Sequence, residues 1–247
     1  MDIYGLVGHP LSHSFSRQFF SDKFESEGID ATYRNFDISN IDEIIEVIAG
    51  TPDLKGFNVT IPYKQKIIPF LDEISREARE IGAVNVVKVT RSGSHIRLHG
   101  FNSDVIGFRE SITPLLCPHH KKALILGTGG ASKAIEYALK NLGLECISVS
   151  RYNRPGTVTY KDIGSDDIKE YEVIVNCTPV GMYPKSNECP QLPYDSMSSD
   201  NLLYDLVYNP EHTLFMEKGR QYGAIVKNGL EMLILQAMAS WEIWNEN

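Results

Sequence analysis

The chain has 247 residues, of which 42% are hydrophobic and 23% are charged. This length corresponds to one large or two small domains, and the composition excludes a wholly disordered chain and a disulfide-dense scaffold. The formal net charge is -8. Because an acidic surface repels a phosphate backbone, nucleic acid is not an expected partner.

The cysteines Cys117, Cys146, Cys177 and Cys189 form no C-x-x-C pair and match no zinc spacing. The N-terminal residues lack the basic start and apolar run of a signal peptide. No apolar stretch approaches the roughly eighteen residues that a membrane-spanning helix needs. We therefore expect a reduced, cytoplasmic protein that does not bind membranes.

Apolar periodicity predicts alternating strands and helices in the N-terminal part of the chain. Strands are predicted at residues 3–8, 31–38, 56–61, 84–90 and 95–99, and helices at 14–27, 40–49 and in segments up to 81. Asn40 followed by Glu43 resembles a capping box. An Arg-Ser-Gly-Ser turn between the last two strands indicates a hairpin. Strands that alternate with helices predict a largely parallel α/β sheet.

The alternation restarts after residue 101. Helices are predicted at residues 104–116, 131–142, 211–222 and 230–244, and strands at 123–126, 146–150, 173–176, 202–206 and 224–226. A domain boundary near residue 101 follows, with a substrate domain before it and a nucleotide domain after it.

A glycine-rich turn joins a predicted strand to a predicted helix in the second half. It reads Gly127-Thr128-Gly129-Gly130-Ala131-Ser132. Glycines in this context permit a tight turn and bring a pyrophosphate close to backbone N–H groups at a helix N-terminus. Ser132 replaces the third glycine of the G-x-G-x-x-G pattern but is also small. A turn that only packs the helix on the strand remains an alternative.

The end of the next strand indicates which dinucleotide is bound. NAD sites place an Asp or Glu about twenty residues past the glycines, on the ribose 2′-hydroxyl. Here that segment reads Ser150-Arg151-Tyr152-Asn153-Arg154, with no carboxylate and two guanidinium groups. Because arginine pairs with phosphate, the segment favours the 2′-phosphate of NADP. A solvated basic loop is the alternative.

Polar residues also follow the N-terminal strands. Ser14 and Ser16 open a helix, where hydroxyl and N–H groups can hold a carboxylate or simply cap the helix. Asn58 and Thr60 share one face of a strand, and Lys64 lies beyond its end. Each is individually more typical of a structural or solvated residue. The histidines form no assigned metal site, and no Ser-His-Asp triad is predicted.

Together these segments resemble the shikimate dehydrogenase family over nearly the whole chain. In chain order the matching segments are Ser14-Phe15-Ser16, Asn58-Val59-Thr60-Ile61-Pro62-Tyr63-Lys64, Gly82-Ala83-Val84-Asn85, Asn102-Ser103-Asp104, Gly127-Thr128-Gly129-Gly130-Ala131, Asn176-Cys177-Thr178-Pro179-Val180-Gly181-Met182 and the stretch from Gly229 to Gln236. Seven matches in the family's order are specific where one would be weak.

The resemblance implies an α/β protein with two domains. The first, residues 1–101, is an α/β substrate domain completed by a returning C-terminal helix at 229–247. Residues 102–228 form a Rossmann-like, doubly wound NADP-binding domain. The implied reaction is the NADPH-dependent reduction of 3-dehydroshikimate to shikimate, by a monomer or homodimer that binds only small molecules.

The resemblance also implies the role of each matching residue. Lys64 and Asp104 match the catalytic pair. The residues that match substrate contacts are Ser14, Ser16, Thr60, Lys64, Asn85, Asp104, Tyr208 and Gln236, with Asn58 as a secondary candidate. Those that match cofactor contacts are Gly127, Thr128, Gly129, Gly130, Ala131, Ser150, Arg151, Arg154, Thr178 and Gly229.

Two positions depart from the family's pattern. Ser103 stands where threonine is frequent, and Tyr152 stands where a small hydroxyl residue is common. Three alternatives remain open: a quinate/shikimate dehydrogenase paralogue, a non-catalytic NADP- or metabolite-binding regulator on the same fold, and a methylenetetrahydrofolate dehydrogenase-like enzyme.

Overall fold

The computed structural model describes residues 1–11, 15–93 and 95–246. The chain forms two compact units, one made of Met1–Ser103 with Ala237–Asn247 and the other of Asp104–Gln236. Compared with the predicted boundaries at residues 101 and 229, this division lies slightly further along the chain at both places. No helix in the described ranges is both long and apolar enough to cross a bilayer.

The first unit contains a six-stranded sheet in the order β2-β1-β3-β5-β6-β4. Its strands are β1 (Asp2–Gly8), β2 (Ala31–Asp37), β3 (Leu54–Val59), β4 (Glu73–Ile74), β5 (Val86–Ser92) and β6 (His95–Phe101). Strand β1 pairs in parallel with β2 and β3, whereas β5 runs antiparallel to β3 and β6. The predicted hairpin is therefore β5–β6, and β5 begins at the edge of the sheet where β3 ends.

The N-terminal helices of the first unit lie within the segments that are predicted to be helical. They are α1 (Phe15–Glu27), α2 (Ile44–Ala49) and α3 (Arg76–Ile81). The predicted capping box is confirmed at Asn40 and Glu43, where it opens a short 3-10 turn that leads into α2. Between residues 62 and 81 the structure has less helix than predicted. Pro62 and Pro69 interrupt the segment, which contains one 3-10 turn, the short β4 and α3.

The second unit contains a parallel six-stranded sheet in the order β12-β11-β10-β7-β8-β9. Its strands are β7 (Lys122–Leu126), β8 (Glu145–Ser150), β9 (Thr157–Thr159), β10 (Val173–Asn176), β11 (Leu202–Asp205) and β12 (Ile225–Lys227). Its helices are α4 (Asp104–Ile112), α5 (Gly130–Asn141), α6 (Ser165–Glu170) and α7 (Leu214–Gln221). The doubly wound fold is confirmed, with the switch in strand order between β7 and β10.

The last helix, α8 (Leu230–Asn245), contributes to both units. In the second unit, Gly107 of α4 packs against it so closely that a Cβ there would lie 2.6 Å from the Met232 carbonyl oxygen. In the first unit, a Cβ at Gly56 would lie 2.3 Å from the Trp244 ring. Glycine is therefore required at both places because the helix packs directly on backbone.

Candidate active site

Polar residues of the first unit collect at the edge of the sheet where β1 and β3 end. Thr60 follows β3 directly, and its N–H donates to the Val7 carbonyl oxygen at 2.9 Å. Lys64 lies in the next turn, where its carbonyl oxygen accepts the Val84 N–H at 2.7 Å. These backbone bonds hold the threonine and the lysine at the carboxyl edge of the sheet.

Asn85 precedes β5 at the same edge and is 2% exposed. Its Oδ1 accepts the backbone N–H of Ser103 at 2.7 Å, and its Nδ2 donates to Ser103 Oγ at 3.1 Å. Both contacts fix the plane and the orientation of the Asn85 amide. Ser103 stands where the family frequently has threonine, and its hydroxyl accepts a hydrogen bond from within the protein.

A second buried amide, that of Asn58, lies at the end of β3 beside Asn85. Its Oδ1 accepts the hydroxyl of Tyr33 at 2.8 Å, and its Nδ2 donates to Ser240 Oγ at 2.9 Å and to the Asn85 carbonyl oxygen at 3.3 Å. Since both N–H groups of Asn58 have protein partners, this residue supports the edge rather than offering donors to a ligand.

The sequence predicts that two serines, Ser14 and Ser16, hold the substrate carboxylate. Ser14 lies outside the described residues. Ser16 is in the first turn of α1, and its side chain hydrogen-bonds with that of Tyr33. Burial raises the pKa of the Tyr33 phenol far above its usual range, so this hydroxyl stays protonated.

Three further predicted substrate residues belong to the second unit. Asp104 is the first residue of α4 and is 5% exposed. A carboxylate in the first turn of a helix interacts favourably with the helix dipole. Gln236 lies on α8, where its Nε2 donates to the Leu233 carbonyl oxygen at 3.0 Å. Tyr208 follows β11 and is partly exposed, and burial raises the pKa of its phenol.

The glycine turn of the second unit runs from β7 to α5 at the switch in strand order. Gly127 has a φ of 119°, a conformation that glycine adopts without strain, and a Cβ there would lie 3.2 Å from Thr178. Gly129 caps α5, and no atom lies within 4 Å of its Cβ position. Ser132 donates to the Gly129 carbonyl oxygen at 2.7 Å. The turn therefore leaves an open space above the N-terminus of α5.

The two predicted arginines follow β8, next to this turn. Arg154 Nη1 donates to Thr128 Oγ1 at 3.4 Å, which brings residues 151–154, here called the arginine loop, against the glycine turn. The Arg151 guanidinium lies 5.8 Å from the centre of the Tyr152 ring. Ser150 is buried at the end of β8, where its Oγ accepts the Tyr152 N–H at 3.3 Å. The structure thus places two arginines on the loop after β8, one of them in contact with the glycine turn that precedes α5.

Two more predicted cofactor residues lie after β10 and after β12. Thr178 donates its hydroxyl to Asn176 Oδ1 at 2.6 Å. Gly229 opens α8, and a Cβ there would lie only 2.2 Å from the Leu206 carbonyl oxygen. Backbone at Gly229 therefore packs where no side chain fits.

Several residues that organise the site have no signal in a single sequence. Tyr33 and Ser240 read as ordinary core positions of a strand and a helix, although both bind Asn58. Asp205 ends a buried strand, and its Oδ1 accepts the Asn176 Nδ2 at 2.9 Å. A polar residue in an otherwise apolar strand is the one feature that could have drawn attention to Asp205.

Known proteins are similar to this chain over nearly its whole length. A family model described as the shikimate dehydrogenase substrate binding domain matches residues 6–87. The shikimate dehydrogenase (NADP(+)) of Methanococcus maripaludis is 37% identical, in an alignment that covers 98% of this chain and 90% of the relative. The match therefore extends over both units.

Solved structures are similar to this chain in fold as well as in sequence. The crystal structure of shikimate dehydrogenase from Aquifex aeolicus has a TM-score of 0.86 and 34% identity, and the match covers 99% of this chain and 92% of that one. The Thermus thermophilus enzyme in complex with NADP(H) and shikimate has a TM-score of 0.86 and 30% identity, over 99% of this chain and 94% of that one. The chain belongs to the shikimate dehydrogenase family.

Proposed function

We propose that this protein catalyses the reversible, NADPH-dependent reduction of 3-dehydroshikimate to shikimate, a step of aromatic amino acid biosynthesis. The observation that carries the proposal is the polar edge of the first sheet, where Thr60, Lys64 and Asn85 collect in a chain that belongs throughout to this family. A small acid with several hydroxyl groups suits such an edge.

Two observations support the binding of NADP by the second unit. The space above Gly129 is open at the N-terminus of α5, where backbone N–H groups attract a pyrophosphate. Arg154 lies against Thr128 of the same turn, and Arg151 is exposed nearby, so two cations can meet the 2′-phosphate. When bound, NADPH supplies the hydride for the ketone carbon.

Lys64 and Asp104 act in this proposal as the acid–base pair. The Lys64 ammonium donates a proton to the oxygen of the ketone as it gains negative charge, which lowers the barrier to reduction. Asp104, at the start of α4, is the carboxylate of the pair, and in the reverse direction the Lys64 amine takes the proton back from the hydroxyl group.

Substrate binding is divided among the remaining candidates. Ser14 and Ser16 hold the carboxylate, and Tyr208 assists them. Thr60, Asn85 and Gln236 hold the ring hydroxyls through amide and hydroxyl groups. Thr178 and Gly229 line the nicotinamide end of the cofactor site. We further propose that the protein acts in the cytoplasm as a monomer or homodimer. Light scattering on the purified protein tests the oligomeric state.

The test of the function is the oxidation of NADPH by the purified protein with 3-dehydroshikimate, followed by absorbance, with the product identified by chromatography. Quinate and NAD are assayed beside shikimate and NADP in the reverse direction. Turnover with shikimate and NADP supports the proposal. Equal turnover with quinate indicates the broader paralogue, and binding of NADP without turnover indicates a regulator.

A further inference from the structure

We propose that Ser240 and Tyr33 are positioning residues that set the geometry of the substrate site from within the first unit. The inference rests on the proposed function, because it concerns the same site. It assigns a role to one residue of α8 and one of β2 that act on the substrate-binding side chains through buried hydrogen bonds rather than by touching the substrate.

The amide of Asn58 can in principle face either of two ways. The Asn85 carbonyl oxygen can only accept, and it lies 3.3 Å from Nδ2, so it fixes the side on which the amide nitrogen lies. Tyr33 then donates its hydroxyl to Oδ1 at 2.8 Å. The amide nitrogen also donates to Ser240 Oγ at 2.9 Å. The Asn85 carbonyl oxygen thus sets one orientation of Asn58, and Tyr33 and Ser240 stabilise the amide in that orientation.

Ser240 also connects Asn58 to the side chain of Asn85, through Ser103. Its Oγ lies 3.0 Å from Ser103 Oγ, and Ser103 in turn accepts the Asn85 amide at 3.1 Å. Asn58 also donates to the Asn85 carbonyl oxygen at 3.3 Å. The Asn85 side chain and backbone are thus each tied to the same serine hydroxyl, through Ser103 and Asn58.

The other end of the chain of hydrogen bonds is Ser16, which bonds with Tyr33. Ser16 is proposed to hold the carboxylate of the substrate and Asn85 a ring hydroxyl. The buried chain therefore connects the two side chains that must fit opposite parts of one small ring. Tyr33, Asn58, Asn85, Ser103 and Ser240 are all at most 5% exposed, so water cannot replace a lost partner easily.

The test measures steady-state kinetics of Ser240→Ala and Tyr33→Phe. We expect KM for 3-dehydroshikimate to rise about 3- to 30-fold in each variant, as the loss of one or two buried hydrogen bonds implies. KM for NADPH should stay within about twofold, because the second unit holds the cofactor residues. Ser240→Thr keeps a hydroxyl and should restore most of the substrate affinity.

The second unit offers matched controls. Ser111 Oγ and the Tyr204 hydroxyl lie 2.7 Å apart, and both residues are at most 2% exposed. Ser111→Ala and Tyr204→Phe delete the same atoms from a buried pair, and their melting temperatures show the purely structural cost. KM for 3-dehydroshikimate should be unchanged in both controls.

The inference is overturned if Ser240→Ala and Tyr33→Phe keep the wild-type KM for 3-dehydroshikimate, or if the controls raise it equally. Tyr33→Phe preserves the shape of the side chain, so it gives an answer even where Ser240→Ala folds poorly. A wild-type protein without activity on 3-dehydroshikimate overturns the proposed function, and the inference with it. If the wild type is fully active and Ser240→Ala and Tyr33→Phe keep its KM for 3-dehydroshikimate, only the inference is overturned.

Discussion

The carboxylate of Asp205 accepts the hydroxyl of Thr213 at 2.6 Å in the interior of the second unit. Its other oxygen accepts Asn176 Nδ2 at 2.9 Å and the Val207 N–H at 3.0 Å. Asp205 is 0% exposed. Because Asn176 in turn accepts the Thr178 hydroxyl, Asp205 connects the chain after β10 to the chain after β11, where cofactor residues are predicted.

Burial raises the pKa of Asp205 from 3.8 to about 6, although the hydrogen bonds from Thr213, Val207 and Asn176 favour the charged form. A carboxyl group whose pKa rises on folding binds its proton more tightly in the folded protein. Its contribution to the free energy of unfolding is therefore greatest at low pH. We expect that contribution to fall by about 2 kcal/mol as the pH rises from about 4 to about 6.

Asp205→Asn isolates this contribution from the other carboxyl groups. The amide nitrogen can occupy the Oδ2 position and donate to Thr213 Oγ1, so the variant should fold. In urea unfolding at a series of pH values, the difference between variant and wild type should shift in favour of the variant between about pH 4 and 6. A difference that is constant over this interval would show that Asp205 titrates outside it.

Lys64→Ala should remove the proposed proton donor and leave both binding sites in place. The loss of one acid–base group typically lowers the rate about 10²- to 10⁴-fold, and we expect kcat to fall by that order. The affinity for NADPH, measured by fluorescence titration, should be almost unchanged, since the lysine belongs to the first unit.

Lys66 provides the matched control for this experiment. It lies two residues further along the same turn, and its ammonium lies 5.9 Å from the centre of the Tyr63 ring. Lys66→Ala should keep wild-type kcat. Wild-type turnover in Lys64→Ala, or equal losses in kcat and in NADPH affinity, would contradict the assignment of Lys64.

Features that depend on nearby residues are the ones that the sequence predicts correctly. The capping box at Asn40, the β5–β6 hairpin and the glycine turn after β7 each follow from a few adjacent side chains. The order of elements predicts the doubly wound sheet, because alternating strands and helices permit few topologies. The short β9 and α6 were not predicted, since three and six residues carry too little periodicity.

Features that depend on distant parts of the chain could not be predicted from the residues alone. Asn58 and Ser240 are 182 positions apart, and nothing in the sequence of α8 indicates that its serine bonds a strand. The start of α7 illustrates a smaller error. Thr213 caps that helix, so it begins at Leu214 rather than at residue 211.

Ser16→Ala should weaken substrate binding more than turnover, because its contact with the carboxylate persists through the reaction. Losing a hydrogen bond to a charged group costs about 1.5–3 kcal/mol, so KM for 3-dehydroshikimate should rise about 10- to 150-fold while kcat changes little. The same result is expected for Ser14→Ala.

Ser26, near the exposed end of the same helix, gives the control for these variants. Its hydroxyl donates to the Lys23 carbonyl oxygen, and Ser26→Ala should leave both kinetic constants unchanged. If Ser14→Ala and Ser16→Ala both keep the wild-type KM, the carboxylate binds elsewhere and these serines serve the helix alone.

Arg151→Ala tests the origin of the preference for NADP. The strand that ends at Ser150 carries no Asp or Glu for the ribose hydroxyl of NAD, and the 2′-phosphate carries close to two negative charges near neutral pH. A charge-assisted pair with Arg151 is worth about 1.5–3 kcal/mol, or about 10- to 150-fold. KM for NADPH should rise by that factor, with little change in KM for NADH.

Arg154→Ala and the salt dependence complete this prediction. Arg154 already contacts Thr128 at 3.4 Å, so part of its side chain is committed to the glycine turn and its deletion should raise KM for NADPH by a smaller factor. Arg220, an exposed residue of α7, is the control, and Arg220→Ala should change neither KM. Because the arginine loop is exposed, the preference for NADPH should shrink as the salt concentration rises. Unchanged discrimination in both arginine variants, or equal use of NADH by the wild type, would mean that these two arginines are ordinary surface charges.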